Sequence, residues 1–203
     1  MLNEFLLLAT AHLFAVASPG ADFAVVLKNT LRSGQRVGTY TALGIGLGIF
    51  VHVGYTLLGV AIVLSQSPII FDLVKYFGAG YLLWLAFQSF RSRPKAASTE
   101  SEIEHQQLSS FKALKQGFLV NVLNPKVTVF FIALFTSIVS QKTPIWIQSF
   151  YGIWLAVYTF LWFSLVAWWF SRSTILAWYQ RHGYIINWLM GGVLVVIAVR
   201  LLI

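Results

Sequence analysis

Long apolar runs separated by short polar punctuation make up nearly the whole chain. Cut at that punctuation, six apolar segments fall at about 4–27, 38–64, 69–90, 113–139, 147–171 and 184–203. A helix needs roughly 20 mostly apolar residues to cross a hydrocarbon core of about 30 Å. The pattern therefore predicts six transmembrane helices and an all-α integral membrane protein. The long polar stretch, 91–112, holds Ser98, Thr99, Glu100, Ser101, Glu102 and Glu104, and reads as a flexible linker. It divides the chain into a first three-helix half at 1–90, a linker at 91–112 and a second three-helix half at 113–203.

Polar residues inside the apolar segments are the candidates for chemistry. Segment one is broken by Ser18-Pro19-Gly20-Ala21-Asp22. Proline removes a backbone hydrogen bond and clashes with the preceding turn, and glycine relaxes the backbone beside it. Freed backbone groups survive in lipid only where protein or water satisfies them, so this break is expected to face the interior. Asp22, next to it, is either a cap on the second half-helix or a binding and proton-carrying carboxylate. Segment four has Asn121 and then Asn124-Pro125-Lys126, a second break followed by a cation that either snorkels to an interface or serves a site. Together Asp22 and Lys126 offer an anion and a cation, which a zwitterionic amino acid needs; a plain salt bridge between the halves is the other reading. Counted along the segments, the two charges lie about 10 Å apart along the membrane normal.

The breaks also hint at internal symmetry. Pro19 and Pro125 are 106 positions apart, and Tyr76, Gly80, Leu82 and Ala86 precede Trp188, Gly192, Leu194 and Ala198 by 112. With three crossings in each half, the second half must run upside down relative to the first. The expectation is two inverted three-helix repeats with broken helices one and four, and a site between the halves.

Composition sharpens the class. Hydrophobic residues make up 58% and charged residues 10%, against about a quarter charged in a soluble domain. Cysteine is absent, which removes thiolate metal sites and thiol electron relays. Residues 6–16 resemble a signal sequence, but Glu4 replaces the positive start, so a retained first helix is expected. The net charge of +8 is explained by topology. Lys28, Arg32, Arg36, Arg91, Arg93, Lys95, Lys112, Lys115, Arg172 and Arg181 fall in alternate loops, which should be cytoplasmic. Both termini should then face the periplasm or exterior, and no nucleic-acid partner is needed.

Weaker features have plainer readings. Gly44 and Gly48 in segment two form a small-xxx-small pair suited to close helix packing. His12 and His52 are expected to be interior hydrogen-bond formers, and ten residues of helix turn by about 280°, so His12 and Asp22 should not share a face. The tryptophans of segment five, Trp154, Trp162, Trp168 and Trp169, fit an interfacial belt and packing against lipid.

In order and spacing, Ser18-Pro19-Gly20-Ala21-Asp22, the glycine-rich segment two, Gly78-Ala79-Gly80-Tyr81-Leu82 and Asn124-Pro125-Lys126 resemble the LysE/RhtB amino-acid exporters across essentially the whole chain. Ala21 stands where the family's first motif has proline, and the aspartate is kept. The resemblance implies a secondary active exporter of a small amino acid such as threonine or homoserine, in the bacterial inner membrane, exchanging it for protons. It places Asp22, Lys126, Asn124, Asn121 and Ser18 as substrate- or proton-binding candidates, with Pro19, Gly20 and Pro125 shaping the breaks. The partners implied are the amino acid, protons and the bilayer, with an oligomer left unassigned. No cofactor and no metal site are expected. An ion or metal exporter is the alternative within transport, but Cys-, Met- or His-rich ligand sets are missing. A non-thiol intramembrane enzyme would draw on Ser18, His12, Asp22 and His52, which lack a recognisable spacing. No phosphate loop of the G-x-x-x-x-G-K-[ST] type occurs, so a gradient must supply the energy.

Overall fold

The computed structural model describes residues 1–66, 68–91, 108–140 and 142–202, and every regular element among them is a helix. These are α1 (Leu2–Ala17), α2 (Ala21–Ser33), α3 (Gln35–Gln66), α4 (Pro68–Arg91), α5 (Ser110–Val122), α6 (Pro125–Ile138), α7 (Ile145–Phe170) and α8 (Ser173–Leu202). Segment one has become α1 and α2, and segment four α5 and α6. The expected linker at 91–112 falls mainly on 92–107, outside the described residues; Arg91 ends α4, and Ser110 begins α5.

Both breaks sit where proline denies a continuing helix its N–H. At the first, Ser18 and Gly20 are extended and the axis turns by 53°. At the second, Asn124 is extended, its side chain accepts from the Lys126 N–H at 3.0 Å, and Pro125 takes the first helical position. That combination ends one helix and starts the next, and the bend is 56°.

Among the described residues, α3 over Gln35–Gly59 and α7 are each long and apolar enough to cross a membrane; counting each bent pair as one span makes four. The connections are shorter than the apolar pattern predicts. Gly34 alone joins α2 to α3, with a φ of 87° that favours glycine. The turn after α7 is Ser171 and Arg172, so Arg181 lies inside α8 and not in a loop. Polar residues at a helix end do not stop it when their backbone can still bond four residues back, and this places the predicted ends too far inward.

α3 is held between α5 and α7, α4 runs along α8, and α2 packs on α3, α5 and α7. A methyl group on Gly44 would strike the carbonyl of Leu114, and one on Gly117 the carbonyl of Thr41. The backbones of α3 and α5 therefore touch through paired glycines, the packing expected of small residues in lipid. Gly46 faces the other way, against Phe160 of α7.

Two apolar clusters form. One gathers Leu8, Ile49, Phe131, Phe135, Leu155 and Leu194; the other gathers Phe23, Val26, Ile45, Phe163 and Phe170. The first break separates them along the chain, since α1 belongs to one and α2 to the other. Polarity is arranged inside out: Thr41, His52 and Asn121 are 0% exposed, while Phe77 is 76% and Leu58 71% exposed. Lipid solvates such apolar side chains, so interior contacts are held by packing and interior hydrogen bonds. At the start of α1, Glu4 accepts from the Ser140 N–H at 3.2 Å and from the Thr143 hydroxyl at 3.1 and 3.0 Å, tying α1 to the α6–α7 connection.

Candidate functional site

The two breaks meet. Ser18 caps the end of α1 at the bend, and its carbonyl has lost the N–H that an unbroken helix would supply. The Lys126 ammonium, from the first turn of α6, fills that vacancy, donating to Ser18 O at 3.0 Å. Asp22, in the first turn of α2, is buried and accepts from Asn121 Nδ2 at 2.8 Å through Oδ2 and from Asn124 Nδ2 at 3.3 Å through Oδ1. Each half thus supplies a charge and the groups that satisfy the other half's break.

The charges are close without touching. An ion pair within 4.0 Å joins the N-terminal ammonium to Glu4, and none joins Asp22 to Lys126. Each charge instead uses neutral partners, an arrangement that leaves capacity for a ligand. Ser18, Asp22, Asn121, Asn124 and Lys126 line a single cavity with Gly20. Measured to water centres it holds about 40 Å³, room for about three waters. Pro19 lines a neighbouring apolar crevice with Trp162 and Trp178, and Pro125 is exposed and lines neither. The depth gap of about 10 Å counted along straight segments does not keep the charges apart, since both line the same cavity.

α2 begins at the cavity, with Asp22 in its first turn. Gly20 starts the helix without any side-chain cap, so its first N–H groups stay available and the helix dipole favours an anion there. α6 differs, because Asn124 caps it.

Two histidines occupy different roles. His52 Nε2 lies 3.0 Å from the Asn121 carbonyl, which Pro125 cannot bond, and Nδ1 lies 2.6 Å from the Tyr55 hydroxyl. With a carbonyl at Nε2, the ring must donate there and accept at Nδ1. It joins the Asn124 N–H, at 2.9 Å, in satisfying that carbonyl at the second break. His12 lines the charged cavity together with Thr159, against the expectation that it faces away from Asp22. The angular argument assumed a continuous helix, and the 53° bend between them resets the phase. Neither His12 nor Thr159 carries a motif that would have singled it out; for His12, a polar residue two turns before a proline break is the signal available, and Thr159 in the continuous α7 offers none. On the α2 side, Asn29 donates to Thr41 Oγ1 at 2.9 Å and to Gln116 Oε1 at 3.1 Å, bridging α2, α3 and α5.

A helical membrane protein whose broken helices bring opposite charges to one largely apolar cavity has the architecture of a solute-binding carrier. The family model of the LysE type translocators matches residues 13–203, and the chain belongs to that family. It is 31% identical over 199 residues to the uncharacterized membrane protein YahN of Escherichia coli (strain K12), covering 95% of this chain and 87% of that one. To the threonine efflux protein of the same strain it is 28% identical over 206 residues, covering 100% of this chain and 99% of that one. An uncharacterized membrane protein of Haemophilus influenzae is 30% identical over 187 residues, covering 91% and 89%. No solved structure matches the chain.

Proposed function

We propose that the chain is a secondary active exporter of a small amino acid, threonine, homoserine or a close analogue, working by exchange with protons. The observation that carries this reading is the cavity shared by Asp22 and Lys126, one charge from each broken helix, with no direct bond between them. The amino acid's carboxylate takes the Lys126 ammonium and the uncapped start of α2, and its ammonium takes Asp22. Coupling follows from Asp22 alone: a carboxylate that holds a proton cannot also hold the substrate's ammonium, so each displaces the other. The similarity to the threonine efflux proteins supports the substrate class.

The proposed architecture is six crossings in two inverted halves, 1–90 and 113–203, with 91–112 between them and both termini outside the cytoplasm. Several pairings support the repeat. Leu82, Ala86, Leu194 and Ala198 are all buried, Tyr76 and Trp188 are 55% and 57% exposed, and added methyls at Gly80 and Gly192 would both meet open space. α3 packs on α6 as α2 packs on α7. In such a carrier the two halves rock about the site and expose it to each side in turn.

Efflux of radiolabelled amino acids from loaded cells tests the reading. Net uphill efflux of threonine should stop when the proton gradient is collapsed, and Asp22→Asn should abolish it while the protein still reaches the membrane. Active efflux that survives both treatments would remove protons as the coupling ion and Asp22 as their carrier.

A further inference from the structure

α1 brings one more polar side chain to the cavity than the charged network uses. His12 is 1% exposed, and its Nε2 lies 2.8 Å from Thr159 Oγ1 of α7. Its Nδ1 is buried without a hydrogen-bond partner. His52 is equally buried, yet both of its ring nitrogens are engaged. His52 thus completes the fold, whereas His12, a lining residue of the charged cavity, keeps one ring nitrogen unpaired. An unpaired ring nitrogen away from water destabilises the fold, and native structures keep such groups where something else binds them.

The imidazole is also held in place. Thr159 anchors one side of the imidazole, and the rings of Phe130 and Phe131 stand 6.1 and 6.0 Å from it. Six residues separate His12 from Ser18, about 9 Å along α1 at 1.5 Å per residue. The Ser18 carbonyl marks the position of the Lys126 ammonium. That puts the imidazole and the Lys126 ammonium on the same cavity at different depths, as the two ends of one small ligand would need.

We propose that His12 reads the side chain of the carried amino acid, using Nδ1 to bond a hydroxyl, so that the site prefers a hydroxyl-bearing substrate to its apolar isostere. This rests on the amino-acid export reading above and assigns the group that sets its selectivity. A hydroxyl both donates and accepts, so it suits Nδ1 in either neutral tautomer. Valine has the shape of threonine but would leave Nδ1 unpaired, and a site built around a hydroxyl rejects the analogue that lacks it.

The test uses the full chain in proteoliposomes, with exchange of labelled threonine and labelled valine measured side by side. The wild-type chain should favour threonine by about tenfold. His12→Leu should bring the threonine-to-valine ratio to within about twofold of unity, and His12→Gln, which keeps a hydrogen-bonding group, should restore part of it. Thr159→Val removes the anchor of the ring at constant volume, so it should lower the ratio even if His12→Leu does not reach the membrane. A preference retained in His12→Leu, or unchanged in Thr159→Val, overturns the role of His12. Exchange of both amino acids by the wild-type chain with no preference also overturns it. Failure of the wild-type chain to exchange any of a broad set of amino acids is a different result, which defeats the export reading along with this one.

Discussion

Lys126 bonds a backbone carbonyl while Asp22 bonds two carboxamides, and this division of partners changes what their removal should do. A fixed buried ion pair that loses one member leaves an uncompensated charge, at a cost of about 3–5 kcal/mol, and losing both members restores the balance. Here neither charge depends on the other for a hydrogen bond. The Asp22→Asn, Lys126→Met double variant should therefore reach the membrane at near wild-type level and export nothing. Recovery of export in that variant would establish a structural salt bridge instead. The charges and amides were readable from the sequence because ionised groups and amides beside prolines have few uses in lipid. His12 and Thr159 were not, since their place on the cavity depends on a bend angle and on α7 packing against α1.

At the scale of helices, prolines decide where the chain breaks and glycines decide how closely it packs. Asn124 illustrates how one residue joins both levels: it caps α6, and the same side chain reaches Asp22 of the other half. α3 and α5 touch backbone to backbone, where the space at Gly44 is occupied by the Leu114 carbonyl. Backbone cannot rotate away as a side chain can, and overpacking costs about 1–3 kcal/mol even where neighbours yield. Gly44→Val should lower the thermal unfolding temperature in detergent by several degrees or prevent accumulation in the membrane. Gly80→Ala is the control, because a methyl there meets nothing within 4 Å; helix propensity alone predicts a gain of about 0.5–1 kcal/mol. Equal stability of the two variants, read from tryptophan fluorescence during heating, would contradict the contact between the backbones.

For the whole molecule, the basic residues set the proposed orientation. Arg36 begins α3 close to Gly34, and Arg181 is exposed on α8, both on the side assigned to the cytoplasm; Lys142 lies between α6 and α7 on the opposite side. The chain has no cysteine, so single cysteines at 36, 142 and 181 report cleanly. In intact cells an impermeant thiol reagent should label position 142 and spare 36 and 181. Labelling of 36 or 181 from outside would reverse the orientation. Arg181 is informative because the apolar pattern places it in a loop, whereas it lies within α8.

Hydrophobic periodicity and length determined that the chain is a bundle of membrane-scale helices, because lipid admits few other ways to satisfy a backbone. Proline and glycine placement located both breaks, since those residues act on their own local backbone regardless of what surrounds them. The tertiary structure alone decided which polar groups share a cavity. Bends of 53° and 56° rotate each half-helix relative to its partner, so faces that are apart on a straight helix come together. It also decided that Lys126 answers Ser18 and that the two amides answer Asp22. These contacts join residues 99, 102 and 108 positions apart, and no local rule of spacing reaches that far.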